Sequence, residues 1–148
     1  METDRLAELI DRKHQVLAHL HTLARQQLAL VDGDDMSNLL ALLASKQTLL
    51  DQLMAVEQQL HPFRDQDPAE RVWRSADDRR RCAEQARQCE ATLAEILALE
   101  RRGESQLQRR RDDTATRLDQ AHGAAQAHRA YTSAPTGGGG QLDLASEG

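Results

Sequence analysis

Along the N-terminal fifth of the chain, hydrophobic side chains recur at alternating steps of three and four. This spacing places them on one face of an α-helix, so the pattern predicts a helix over about residues 3–31. Thr3 is the candidate N-cap of this helix. Lys13 falls on the apolar face, where its stem can lie flat while its amine reaches water. The face consists of Leu6, Leu9, Ile10, Val16, Leu17, Leu20, Leu23, Ala24, Leu28 and Val31.

The acidic segment at residues 32–35 interrupts this pattern. Gly33 can close the first helix by adopting the left-handed conformation, and Asp34 or Asp35 can cap the next helix. Because the connection is so short, the two helices are predicted to form an antiparallel hairpin.

The second predicted helix, over about residues 36–60, has an apolar face wider than one neighbouring helix can cover. We therefore expect it to lie between helix one and another element. His61-Pro62-Phe63 is expected to end the helix, because proline disfavours the helical conformation of the residue before it. The apolar face consists of Met36, Leu39, Leu40, Leu43, Leu50, Leu53 and Leu60, with Lys46 and Glu57 interrupting it and Leu42, Leu49, Met54 and Val56 widening it.

The linker that follows is polar, and its only large apolar residues are Phe63 and Trp73. We expect both to fold back and cover the end of the bundle.

A third helix is predicted from an N-cap at Ser75 to about His128, since no proline occurs before Pro135. Its first half can cover the hairpin. Its second half, residues 106–128, has too few apolar side chains to be stable alone and needs support from a second copy or another partner. Gly103 marks a kink or a close helix contact. The apolar stripe consists of Cys82, Ala86, Cys89, Leu93, Ile96 or Leu97, Glu100, Gly103 and Leu107, then Leu118, Ala121 and Ala125.

These patterns together predict an all-α fold: an antiparallel helical hairpin plus a long third helix in a coiled-coil-like bundle. The domain is expected to span residues 1–131. Residues 132–148 contain four consecutive glycines and are predicted to form a flexible tail. Composition agrees, because aromatic residues make up 2% of the chain while helix-favouring residues abound, which disfavours all-β folds and α/β enzymes.

Charge and hydropathy exclude several classes of partner. The net charge is −5, and no segment is basic enough to be a nucleic-acid footprint. The longest wholly apolar run, residues 39–44, is far shorter than the roughly twenty residues of a membrane span. Without a signal peptide the protein is expected to be cytoplasmic, with no membrane insertion.

No catalytic, cofactor-binding or metal site is predicted. The only glycine run lacks the strand and helix that a phosphate loop requires. His14 and His21 lie seven residues apart, which does not suit a metal pair. Cys82 and Cys89 also lack ligand spacing and are expected to pack in the core. We therefore expect a protein without enzymatic activity.

Two stretches of the sequence carry a recognisable pattern. The first combines the acidic turn with the run Lys46-Gln47-Thr48-Leu49-Leu50-Asp51-Gln52-Leu53, which matches a Lys-Gln-x-Leu-Leu-x-x-Leu pattern, and with the later Glu57. The second is Ile96 to Glu100 with Leu107 and Arg111. Together they resemble flagellar export chaperones of the FlgN type, the second being similar to the third helix of that family. The resemblance covers about residues 6–131.

The resemblance implies a cytosolic chaperone that binds flagellar hook-associated proteins at the hook–filament junction, prevents their premature assembly and delivers them to the type III export apparatus. It also implies that the C-terminal segment docks to export machinery, which makes Tyr131 the docking candidate. From the residues themselves, an amphipathic client helix would lie along Leu93, Leu97, Leu107 and Leu118.

Two other interpretations remain open. The long helix can pair with its own copy, which would make the protein a homodimeric structural coiled coil. The same surface can also serve an adaptor of another secretion or signalling system.

Overall fold

The computed structural model describes residues 2–31, 33 and 35–133, and the predicted all-α fold is confirmed. Helix α1 spans Glu2–Leu30, α2 spans Met36–Arg64 and α3 spans Ala76–Ser133. One turn of 3₁₀-helix, Pro68–Glu70, lies between α2 and α3. The described part of the chain divides into two units, one within residues 2–106 and one over residues 107–133.

Helices α1 and α2 form the predicted antiparallel hairpin. Lys13 Nζ lies 2.6 Å from Glu57 Oε1, and Lys46 Nζ lies 3.0 Å from Gln27 Oε1. Residue numbers therefore rise along α1 as they fall along α2, which is the antiparallel arrangement.

The first part of α3 runs parallel to α1. Gln85 Nε2 donates to Asp11 Oδ1 at 2.9 Å, and His21 Nε2 lies 3.0 Å from Glu95 Oε2. Numbers rise together along both helices, so residues 2–106 form an up-down-up bundle of three helices.

The hydrophobic core of this bundle is divided into two clusters. On α1 the pair Lys13–Glu57 lies between them, because Lys13 falls between Leu9 of one cluster and Val16 of the other. A charged pair at a core position costs desolvation energy but favours one helix register over others. The larger cluster contains Val16, Leu17, Leu20, Leu23, Leu42, Leu49, Cys89 and Ile96, and the smaller contains Leu6, Leu9, Val56, Leu60 and Cys82.

Helix α3 buries a single row of residues at seven-residue spacing, consisting of Cys82, Cys89, Ile96 and Gly103. The predicted stripe was wider, since it also included Leu93, which is exposed. The α1 and α2 backbones also approach each other more closely than either approaches α3. A third helix that buries only one row leaves apolar side chains beside that row uncovered.

Both cysteines lie in the core, as predicted, and both are free thiols. Burial raises the pKa of the Cys82 thiol and of the Cys89 thiol, which keeps them protonated at neutral pH. They act as small apolar packing groups.

Two of the predicted helix caps are confirmed. The Asp35 carboxylate accepts the backbone N–H of Asn38 at 3.2 Å, and the Ser75 hydroxyl accepts that of Asp78 at 3.1 Å. Each bond satisfies one of the free N–H groups that every helix start leaves. Asp34, the alternative cap for α2, lies outside the described residues.

The expectations for Thr3 and Gly33 were wrong. Thr3 lies inside α1, and its buried hydroxyl donates to the carbonyl of Val72 at 2.8 Å, which fastens the α2–α3 connection to the start of α1. Gly33 does not adopt a positive φ, and its N–H donates to the Leu30 carbonyl at 3.1 Å instead.

The expected end of α2 before Pro62 was also wrong, because the helix continues through Pro62 to Arg64. Proline removes one backbone hydrogen bond, a cost that a final helical turn can bear. The guanidinium of Arg71 donates to the Phe63 carbonyl at 2.6 Å and satisfies a C-terminal carbonyl of the helix. Phe63 and Trp73 pack against the smaller core cluster, as predicted.

At Gly103 the helical assignment of α3 continues without a break, and the residue is buried. A Cβ added there would meet only Leu28 Cδ1, at the ordinary contact distance of 4.0 Å. The glycine is therefore not required by a tight helix contact.

In the second unit, α3 continues to Ser133, two residues beyond the predicted domain end at Tyr131. Every described side chain from residue 107 to 133 is exposed. The remainder of the predicted tail, residues 134–148, lies outside the described residues.

Candidate partner-binding surface

An apolar surface lies along the junction of α2 and α3 within the first unit. Its α2 side chains belong to a helix face separate from the one that α1 covers. The most exposed of them is Met54, at 62%, and the most exposed on α3 is Leu97, at 48%. We call this surface the α2–α3 strip and define it by Leu40, Leu43, Leu50, Met54, Leu93 and Leu97.

The ion pair between Lys46 and Glu100 fixes where the two helices meet. On α2, Leu43 and Leu50 lie one helical turn before and after Lys46. On α3, Leu97 lies one turn before Glu100. Residues three or four apart are neighbours on a helix surface, so these leucines surround the ion pair and form one continuous surface.

The Lys46 amine is held from two sides. It contacts Glu100 on α3, and it donates to Gln27 Oε1 on α1 at 3.0 Å. Only 15% of the side chain is exposed. This lysine therefore ties all three helices together beneath the strip.

Two apolar faces also account for the overall hydropathy of α2. By length and composition alone α2 could cross a membrane, and 17% of its most apolar window is buried within the structure. One face, with Leu42 and Leu49, packs in the core, while the neighbouring face, about 100° round the helix, carries Leu43 and Leu50 of the strip. Such a composition is equally typical of a soluble helix with two contact surfaces.

Two of the four predicted client-binding residues, Leu93 and Leu97, belong to the strip. The structure places them beside α2 residues that the sequence analysis had assigned to one broad face without distinguishing buried from exposed members. The sequence alone did not identify Leu40, Leu43, Leu50 and Met54 as surface residues. One signal in the sequence could have identified this surface. Lys46 interrupts the apolar stripe of α2 and Glu100 interrupts that of α3, and pairing these opposite charges would have given the register between the two helices.

The other predicted contact residues lie in the second unit. Leu107 and Leu118 are exposed, the latter at 65%, and Tyr131 is 83% exposed. Each side chain is therefore accessible to a partner.

Among the described residues, no group of three or more histidine, cysteine or acidic side chains could hold a metal ion. A cavity of about 480 Å³ opens at the end of the bundle, between the start of α1 and the α2–α3 connection, with Leu6, Phe63 and Val72 in its wall. Its rim carries acidic side chains, including Glu2 and Glu70. The arrangement offers no nucleophile paired with a base.

A search of protein-family models, curated proteins and solved structures found no match to this chain.

Proposed function

We propose that this protein is a cytosolic export chaperone that binds amphipathic helices of flagellar hook-associated proteins. In this function it prevents their premature assembly at the hook–filament junction and delivers them to the type III export apparatus. The observation that carries the proposal is the α2–α3 strip, an apolar surface on a bundle whose core is complete without it.

The strip suits a helix as its ligand. A partner helix that places leucines at positions i, i+3 or i+4 and i+7 can lie along the junction of α2 and α3 and bury its apolar face. Apolar burial yields about 25 cal/mol per Å², and ordering a client segment costs several kcal/mol. Reversible binding follows from this balance, and no chemical step is needed.

The family resemblance supplies the identity of the client. Two residues of the Lys46–Leu53 run that carries the resemblance take part in this surface. Leu50 belongs to the strip, and Lys46 forms the ion pair with Glu100 beneath it. Tyr131 remains the candidate for docking to the export machinery, and its side chain is accessible.

The test is direct binding between the purified protein and the terminal helices of the hook-associated proteins encoded in the same genome. Leu50→Asp and Leu97→Asp should each weaken binding at least about tenfold, because each buries a charge against the client. Thr48→Asp and Ala98→Asp place the same charge on exposed positions of α2 and α3 outside the strip, and they should leave binding unchanged. If the control variants lose as much binding as the strip variants, the proposal is contradicted.

The alternative function is a structural coiled coil that associates with its own copy, or an adaptor in another system. The exposure of every described side chain from 107 to 133 favours this alternative, since a helix without tertiary contacts gains stability from a partner. Sedimentation at low protein concentration discriminates the two: an obligate dimer without client supports the coiled coil, and a monomer supports the chaperone.

A further inference from the structure

Acidic side chains border the α2–α3 strip on both helices. On α3, Glu90 lies three residues before Leu93, and Glu104 lies seven residues after Leu97, which places both along the same face of the helix. On α2, Asp51 lies three residues before Met54 and is therefore its neighbour on the helix surface. All three carboxylates are exposed.

Positive charge at this border is scarcer. Arg101 lies one turn beyond Leu97 and is exposed. Lys46 is paired with Glu100 beneath the strip, and Arg64, which lines a cavity together with Glu90, is paired with Glu57. With these two ion pairs set aside, the carboxylates of Asp51, Glu90 and Glu104 outnumber the cations among the described residues that border the strip.

We infer that the occupant of the α2–α3 strip is an amphipathic helix whose apolar face is bordered by lysine or arginine side chains. This inference rests on the proposed function and adds the charge of the client to it. The leucines provide the affinity by apolar burial, and the acidic border selects for charge and orients the helix.

The same border disfavours three other occupants. A second copy packed face to face would bring its own Asp51, Glu90 and Glu104 against these, because a twofold interface joins identical patches. An anionic lipid surface would be repelled for the same reason. The chain's own residues 134–148 include Asp143 and Glu147 but neither lysine nor arginine, so they do not complement the border.

The test uses two designed helical peptides of about twenty residues that share one leucine pattern. One has lysines beside the apolar face and the other has glutamates there. Anisotropy titrations of each labelled peptide with the full-length protein are carried out at about 0.05 M and about 0.5 M salt, where the Debye length falls from about 14 Å to about 4 Å. The lysine peptide should bind about tenfold tighter at low salt, and the difference should shrink at high salt.

Charge reversal on the protein provides the decisive variant. Glu90→Lys combined with Glu104→Lys should abolish or invert the preference for the lysine peptide. The matched control combines Glu8→Lys with Glu84→Lys, which changes the net charge equally but lies beside the groove between α1 and α3. The control should retain the preference.

The outcomes separate this inference from the proposed function. Equal binding of both peptides, lost in Leu50→Asp, would overturn the charge inference and leave the docking function intact. Absence of binding by either peptide, or binding that Leu50→Asp does not weaken, would overturn both. A dimer that Leu50→Asp dissociates in sedimentation would show that a second copy occupies the strip, which also overturns the inference.

Discussion

At the scale of single residues, several side chains behave differently from their sequence neighbours because of what they contact. Leu42 and Leu43 illustrate this, since the first is buried in the core and the second lies in the exposed strip. Both fit the apolar pattern of α2 equally well. Which one is buried depends on where α1 and α3 pack, and that information is not local to the sequence of α2.

Replacement of Gly103 by alanine should stabilise the protein. The new Cβ fits at 4.0 Å from Leu28 Cδ1, and alanine is favoured over glycine in a helix interior by about 1 kcal/mol. Urea unfolding should show a gain of about 0.5–1 kcal/mol. Gly123→Ala is the control, since a Cβ there has nothing within 4 Å, and it should leave the unfolding midpoint of the bundle unchanged. A destabilised Gly103→Ala variant would contradict the geometry.

The two core thiols should react slowly in the native protein. Burial raises the pKa of both Cys82 and Cys89, and the thiolate is the reactive form. Labelling with an aromatic disulfide reagent at mildly alkaline pH should therefore be much slower in buffer than in urea. Rapid labelling of both thiols in buffer would mean that α3 does not cover the hairpin.

At the scale of helices, polar residues on apolar stripes determine alignment. Lys13 and Lys46 are the only lysines in the chain, and each forms an ion pair with a carboxylate on another helix. The sequence analysis expected the Lys13 amine to reach water, but it contacts Glu57 instead. Glu100 likewise pairs with Lys46. The helices themselves were predictable from periodicity, whereas these pairings depend on the register between helices.

The ion pairs of Glu57 with Lys13 and Arg64 should make the free energy of unfolding depend on pH. Burial raises the pKa of the Glu57 carboxyl, but its interactions with Lys13 and Arg64 outweigh burial and leave the pKa below the usual 4.5. A lowered pKa in the folded state stabilises the protein above about pH 4.5, and this contribution is lost as the pH falls through the folded-state value. Glu57→Gln should therefore cost about 1 kcal/mol at pH 7 and progressively less below pH 4.5.

Glu84→Gln is the matched control for this measurement. Glu84 forms an exposed ion pair with Arg87 on the same helix, and such pairs contribute little to stability. The unfolding free energy of the Glu84→Gln variant should equal that of the wild type at every pH. If Glu57→Gln shows a constant difference from wild type between pH 7 and pH 3, the carboxylate does not stabilise the fold through its charge.

At the scale of the whole molecule, the chain combines a bundle with a complete core and a second unit whose described side chains are all exposed. The sequence predicted the three helices, both interior cysteines and the scarcity of apolar residues after Leu107. It did not predict the α2–α3 strip. The apolar stripe of α3 suggested two rows of buried residues, whereas α3 buries only one row and leaves the other exposed.

Leu107→Asp combined with Leu118→Asp should leave the fold intact and weaken client binding. Both leucines are exposed, so a charge there removes little buried contact within the chain. Far-UV circular dichroism should retain the helical signal, and the thermal midpoint should change by no more than about 2 °C. Loss of the whole helical signal would show that these leucines belong to a core.

The central claim is that the α2–α3 strip receives a client helix, and the methyl signal of Met54 tests it most directly. The chain has only three methionines, so a methyl-labelled sample gives a simple spectrum. Saturation with the terminal helix of a hook-associated protein should shift or broaden the Met54 signal, and Leu97→Asp should prevent the change. A saturated complex in which the Met54 signal stays at its free position would contradict the account.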